Sequence, residues 1–331
     1  MMEIKVEKKY FITVLICFLI HICSNQVDAQ QRNDFPNFDN AEKVAQTGYQ
    51  FLKINPGARG AGMGETFITL EGDASVVYWN PAGLSSVKNI SVFAGYTSWF
   101  ADIKHQAFSA AMNLGDYGVV GISAVNVDYG TIKGTVISNS LLGYDDIGNL
   151  NITEFAIGLS YAMRFTDSFG AGVTIKYCKQ DLIAKNSSVL AFDIGTNYNT
   201  GWNDLKVAVS IQNFSKEIKY IDENFVLPLT YRVGFSVDAL GLANINSDTH
   251  KLTIALEGVN PRDYSERVHL GGEYIFDNML SLRAGYKFNY DVESFSFGAG
   301  FKYNDAQIDY AYSDFGSLLG NVNRVSIVFN L

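Results

Sequence analysis

Side chains able to carry covalent or metal chemistry are few in this chain, and they are scattered. His105, His250 and His269 lack the short spacings by which imidazole and thiolate ligands gather around a metal. Cys178 has no CxxC partner and alternates with Tyr177, so it reads as a small space-filler rather than a nucleophile. The run Gly60-x-Gly62-x-Gly64 invites a phosphate-loop reading. A dinucleotide loop, however, needs a preceding strand, wider glycine spacing, a following helix and a later acidic residue. Those conditions are unmet, and the glycines suit backbone passing close to another wall. No serine triad or carboxylate pair emerges, so the expectation is a protein that is not an enzyme and takes no cofactor or metal. What remains is electrostatic: Arg164, Lys176, Lys206, Arg232, Arg267, Arg283, Lys287, Lys302 and Arg324 are expected on the inner face of strands, alongside Asp193, Glu257, Glu273 and Asp309. Such pairs are ordinary inside a barrel.

The elements that position these groups follow from composition and period. The chain has 331 residues, 47% apolar, 14% aromatic and only 18% charged, which excludes a disordered polar chain. Mean hydropathy of +0.04 argues against a bundle of membrane helices, each needing about 18 or more apolar residues in a row. A net charge of −9 spread along the sequence is no nucleic-acid footprint, so no nucleic-acid partner is expected. At the start, Lys5, Lys8 and Lys9 precede the apolar stretch Tyr10 to Ile22, and Val27-Asp28-Ala29 supplies small residues for cleavage. Residues 1–29 therefore read as a secretory signal peptide. Its removal takes Cys17 and Cys23 and leaves Cys178 without a disulfide partner.

In the rest of the chain the period is two. Leu280, Leu282, Ala284, Tyr286 and Phe288 alternate with Ser281, Arg283, Gly285 and Lys287. Phe295, Phe297, Ala299, Phe301 and Tyr303 alternate with Ser296, Gly298, Gly300 and Lys302. One face is aromatic and aliphatic; the other mixes glycine and serine with charge. A soluble sandwich packs large apolar residues inward, whereas a membrane barrel shows its aromatics to lipid and keeps a polar interior. The pattern predicts an all-β, transmembrane antiparallel β-barrel of about 14 strands over residues 88–331. Strands are expected to start near Ile90, Ala107, Gly118, Thr153, Phe169, Val189, Leu205, Leu229, Lys251, Arg267, Leu280, Phe295, Gln307 and Arg324. Connections near Phe165 to Ser168, Phe276 to Asn278 and Asn304-Asp305 are short. Those at Asp128 to Asn151, Ser215 to Val226 and Ser313 to Val322 are long, and Gly241 to His250 breaks the alternation.

Residues 30–87 do not alternate and are expected to form a polar tail and a lumenal hatch. They contain Phe51-Leu52-Lys53-Ile54, Gly57-Ala58-Arg59, Gly62-Met63-Gly64, Asp73-Ala74-Ser75 and Tyr78-Trp79-Asn80-Pro81-Ala82-Gly83-Leu84. Together with Ile211-Gln212-Asn213, Leu282 to Lys287 and Asp309 to Tyr312, this set resembles the PorV/PorQ family, within the broader FadL-type outer-membrane barrels. The resemblance implies a fourteen-stranded barrel with its N-terminal segment folded into the lumen. It points to Gly57, Arg59, Gly62, Gly64, Asn80, Pro81, Ala82 and Gly83 as the hatch motif. It also implies the outer membrane of a bacterium of the Bacteroidota, in contact with outer-membrane lipid.

Two functions follow from that resemblance. PorV-like members serve type IX secretion by receiving the C-terminal domain of cargo or binding partner components. FadL-type relatives instead move fatty acids or other hydrophobic small molecules through the lumen. For partner contact, the long loop Asp128 to Asn151 and the segment Ser313 to Val322, with apolar Phe315, Leu318 and Leu319, are expected to be exposed.

Overall fold

Alternating Phe, Tyr, Leu and Ile favour extended backbone because their side chains pack on a pleated surface, and a closed sheet leaves no unpaired edge in lipid. The computed structural model describes residues 47–331 except 184, 185, 221, 222 and 246. The expected signal peptide, and residues 30–46 of the expected hatch, lie outside the described residues. Among the described residues, eighteen strands form in chain order. The first nine are β1 (Ile90–Ser98), β2 (Lys104–Asn113), β3 (Val119–Asp128), β4 (Ile132–Ile137), β5 (Tyr144–Leu150), β6 (Ile152–Arg164), β7 (Phe169–Leu182), β8 (Asn186–Asn199) and β9 (Lys206–Ser215). They are followed by β10 (Ile218–Tyr220), β11 (Glu223–Phe225), β12 (Thr230–Asp238), β13 (His250–Pro261) and β14 (Arg267–Phe276). The last four are β15 (Leu280–Phe288), β16 (Phe295–Tyr303), β17 (Ala306–Asp314) and β18 (Asn321–Asn330).

Fourteen of these close into one antiparallel barrel, sealed where β18 pairs with β1 from Ser91↔Asn330 to Ser98↔Asn323. Every barrel strand begins within three residues of its expected start; Lys104, Asn186 and Asn321 are the widest departures. The pairs β4–β5 and β10–β11 are separate hairpins within the two longest loops, which join β3 to β6 and β9 to β12. Both long loops, and the link 315–320, lie on one rim; the turns 165–168, 277–279 and 304–305 lie on the other. In outer-membrane barrels generally, the rim with long loops faces outward and the rim with short turns faces the periplasm. The irregular link after β12 holds one helical turn, Ala239–Leu242, capped by the Asp238 carboxylate on Leu240 N.

Parity divides the wall as the composition requires. Phe295, Phe297 and Phe301 point outward, while Ser296, Ser281 and Arg283 are buried inside. The early strands alternate less clearly in sequence because their inner positions are apolar as well. Phe93, Ala107, Ala111 and Val119 face inward and join a core with Val76, Val77, Trp79 and Leu84 of the preceding segment. In this part of the barrel the interior is a packed core, so an apolar residue on the inner face stabilises it.

Candidate functional site

Residues 47–87 have no long regular element, so their backbone groups need partners from elsewhere. The inner wall supplies them. Ala74 N donates to Ser91 Oγ at 2.9 Å, and Ser109 Oγ donates to Ala74 O at 2.7 Å. Ser210 Oγ and Gln212 Nε2 donate to Trp79 O at 2.9 and 3.0 Å. Gly64 N donates to Ser296 Oγ at 2.9 Å, and Phe67 N to the Glu257 carboxylate at 3.1 Å. The serines of the polar strand parity are therefore anchors for a folded segment held inside the wall.

The residues singled out as a hatch motif sit at the tightest of these contacts. Gly57 precedes the short helix Ala58–Gly62, which carries Arg59 toward the wall. Gly64 adopts φ +64°, and a Cβ added at Gly285 would lie 2.0 Å from Gly64 N. Two backbones thus touch where any side chain would separate them. Asn80 caps the helical stretch Pro81–Ser86, which holds Ala82 and Gly83; its Oδ1 accepts from Ala82 N at 3.0 Å and its Nδ2 donates to Ile68 O at 2.9 Å. The wall answers with Gly195, where a Cβ would fall 1.9 Å from Asn80 Oδ1. All eight motif residues are fixed by contacts with the wall or with their own segment, and the geometry gives them a packing role.

Charge fixes the segment toward the short-turn rim. Arg59 holds Glu273 through two hydrogen bonds of 2.9 and 2.7 Å, with Asp73 at 3.4 Å. Glu273 also accepts from Arg283 Nε at 2.7 Å, and Arg283 Nη1 reaches Asp309 at 2.8 Å. Nearer the rim, Lys206 meets Glu71 at 2.7 Å and Ser86 donates to the same carboxylate. Burial alone would raise the Glu71 carboxyl, but the Lys206 ammonium, the Ser86 hydroxyl and Arg164 outweigh it and hold it below the usual carboxylate range. A depressed carboxyl stabilises the fold above its ordinary pKa of about 4.3, and that contribution is lost as pH falls through the lower folded value. Hydrogen exchange of residues 71–86, corrected for intrinsic rates, is expected to be unchanged from pH 7 to pH 5. Loosening should begin only below about pH 4; loosening between pH 7 and 5 would show that Glu71 is not the tether.

Toward the long-loop rim the lumen opens into a cavity of about 370 Å³. Lys53, Glu65, Arg232, Arg267, Lys287 and Glu293 line it, opposite an aromatic wall of Trp99, Phe100 and Phe315. Lys287 bridges Glu65 at 2.9 Å and Glu293 at 2.5 Å, and Arg232 pairs with Glu257 at 2.7 Å. Lys53 meets Asp263 at 2.5 Å, and Asp263 also accepts from Thr47 Oγ1 at 2.8 Å. At the back, Asn213 has φ +62° beside a register shift between β8 and β9, and its N–H donates to Asp193.

Phe315 corrects the expectation of an exposed contact segment. It is buried, with its ring 5.1 Å from Trp99 and 6.1 Å from Phe100. Closure of β18 on β1 brings its loop against the β1–β2 turn, where Phe315 leaves water by packing on the half-buried rings of Trp99 and Phe100. Leu319 is exposed, and the Leu318 side chain lies outside the described residues. The other long loop supplies the apolar surface. On β4–β5 and its tip, Ile137, Leu141 and Leu142 are 98%, 108% and 74% exposed. The two strands pair only with each other among the described residues.

Cys178 is buried, unpaired and inward-facing, as its parity suggested. His105 and His269 lie buried on different strands, and no three His, Cys, Asp or Glu gather as metal ligands among the described residues. Sequence parity places Arg232, Arg267 and Lys287 on the inner face, but their meeting with Lys53, Trp99, Phe100 and Phe315 in one cavity is not visible there, because these residues come from six separate links or strand ends.

Comparison with known proteins agrees with this architecture. The family model for the type IX secretion system protein PorV matches residues 37–258. No curated protein matches by sequence. Among solved structures, the CymD monoaromatic hydrocarbon channel superposes with a TM-score of 0.56 at 11% identity, covering 84% of this chain and 98% of that one. The Pseudomonas putida toluene transporter TodX gives 0.56 at 12%, covering 81% and 95%. A Pseudomonas aeruginosa FadL homologue gives 0.52 at 12%, covering 83% and 98%. At these identities the likeness is one of fold alone, a closed antiparallel β-barrel.

Proposed function

Because the chain belongs to the PorV family of type IX secretion proteins, we propose that it is a non-enzymatic accessory barrel that binds cargo or partner proteins at its outer rim. The observation that carries this reading is the β4–β5 hairpin. A two-stranded hairpin is marginally stable alone in water, and this one bears Ile137, Leu141 and Leu142 almost wholly exposed. Apolar side chains clustered at a loop tip beyond the barrel favour a protein partner that covers them. The packed segment 47–87 supports the same reading, since a filled lower lumen suits a platform more than a pore.

Co-purification in mild detergent tests it. The tagged wild-type protein is expected to retain type IX components or the C-terminal domain of a secreted protein. The variant Ile137→Ser/Leu141→Ser/Leu142→Ser should lose them while keeping its barrel, because exposed surface changes cost little stability. Equal recovery from both proteins, or none from the wild type, would reject the role of the hairpin.

Transport of a hydrophobic compound is the second reading, favoured by the aromatic wall of the outer cavity and by the hydrocarbon-channel fold. It requires residues 47–87 to move aside, and it is read in the same preparation as co-purifying lipid-like molecules in the absence of protein partners.

A further inference from the structure

The outer cavity carries a ladder in which cations and rings alternate. Lys53 Nζ stands 4.8 Å from the centre of the Tyr264 ring, and Arg267 Cζ is 4.4 Å from the same ring. Arg267 Cζ is also 4.0 Å from the Tyr290 ring, and Lys287 Nζ is 5.4 Å from it. The Tyr290 hydroxyl is held in turn by His269 Nε2 at 2.9 Å. The two end cations have carboxylate partners: Lys53 pairs with Asp263, and Lys287 with both Glu65 and Glu293. The middle cation does not. Arg267 makes no ion pair among the described residues, and its Nε is buried without a hydrogen-bond partner. The adjacent Glu266, just before β14, is exposed and accepts from Asn260 Nδ2.

We propose that Arg267 is the centre of a carboxylate-binding site, and that the carboxylate belongs to an acidic residue or chain end of a polypeptide entering the cavity from the outer rim. The polypeptide source rests on the partner-binding reading above. Two tyrosine rings flank the guanidinium, so its position is set before a ligand arrives; Nε is buried, and the in-plane Nη1 and Nη2 N–H groups are the donors left for recognition. A carboxylate matches that edge with two parallel hydrogen bonds. Trp99, Phe100 and Phe315 line the same cavity and would cover the apolar neighbours of the acidic residue. A volume of about 370 Å³ admits a few side chains and excludes a folded domain. Glu65 and Glu293 stay with Lys287 and do not compete for Arg267.

The test uses the full chain in detergent micelles and calorimetric titration with two blocked hexapeptides, (Gly-Glu)₃ and (Gly-Gln)₃. The glutamate peptide is expected to bind wild type at least about tenfold more tightly than the glutamine peptide, the scale of one charge-assisted bidentate pair. Arg267→Gln should bring glutamate-peptide binding down to the glutamine level, and Arg267→Lys should keep part of the difference. Mobility on an unboiled detergent gel reports whether each variant is folded; if Arg267→Gln is not, the lysine variant and the wild-type peptide ratio decide. Equal binding of the two peptides, binding of neither, or unchanged binding by Arg267→Gln would overturn the site. Inorganic phosphate displacing the glutamate peptide where acetate cannot would overturn the carboxylate assignment and give the site to a phosphate ester. Peptide discrimination without partner capture in the pull-down would reject the polypeptide partner and keep the site; capture without discrimination would do the reverse.

Discussion

Glu273→Gln is expected to destabilise the barrel more than any other single change of charge, by about 3 kcal/mol or more. Glu273 is buried and stands between two guanidinium groups, Arg59 at 2.7 Å and Arg283 at 2.7 Å. The Arg283 side chain is fully buried, so it cannot recover hydration when its partner loses charge. A glutamine would fit the space, but its amide N–H₂ would face donors. Asp309 keeps one hydrogen bond to Arg283 and moderates the loss, whereas Arg59 keeps only Asp73 at 3.4 Å. Removing one partner of a buried network leaves an uncompensated charge, and the cost of that charge exceeds what the pair contributes on forming. Thermal unfolding in detergent should show a clearly lowered midpoint, with Lys302→Gln on the exposed rim as the unaffected control. An unchanged midpoint for Glu273→Gln would mean that the network does not hold residues 58–73 to the wall.

Gly285→Ala is expected to act on the same segment by a different route. The added Cβ would lie 2.0 Å from Gly64 N and 2.3 Å from Met63 C, with Gly64 Cα at 2.4 Å. All three are backbone atoms, so no rotamer change relieves the clash. Overpacking of a rigid site costs about 1–3 kcal/mol when neighbours can yield, and here they yield only if the segment lifts from β14 and β15. The barrel should still close, because its ladder from β13 through β18 does not depend on Gly64. The expected signature is a folded barrel on an unboiled gel whose residues 58–70 have become open to hydrogen exchange. Protection equal to wild type would contradict the backbone-to-backbone contact.

The strands were legible in sequence because lipid and lumen impose opposite demands on alternate residues, and Phe295 to Tyr303 displays both. Parity failed first where the lumen is filled. Phe93, Ala107 and Val119 face inward on a packed core, so the early strands lose their contrast. The spacing of glycines 62 and 64 suits close approach to a wall, but their partners at 298 and 285 become visible only once register places them opposite. Phe315 was misplaced because a loop between two strands reads as exposed, while barrel closure sets it against Trp99 and Phe100. The cation–ring ladder was illegible for the same reason: Lys53, Tyr264, Arg267, Lys287 and Tyr290 share no local spacing. Sequence period reports which way a side chain points; which side chains meet across the lumen is decided by closure.

The most direct test of partner binding at the outer rim is the set of secreted and surface-anchored proteins in cells whose gene carries the Ile137→Ser/Leu141→Ser/Leu142→Ser change. The expected result is a normal level of folded barrel in the outer membrane, with type IX cargo depleted from the surface and medium and retained inside. An unchanged set of secreted and surface-anchored proteins, with the variant barrel present at wild-type level, would contradict it.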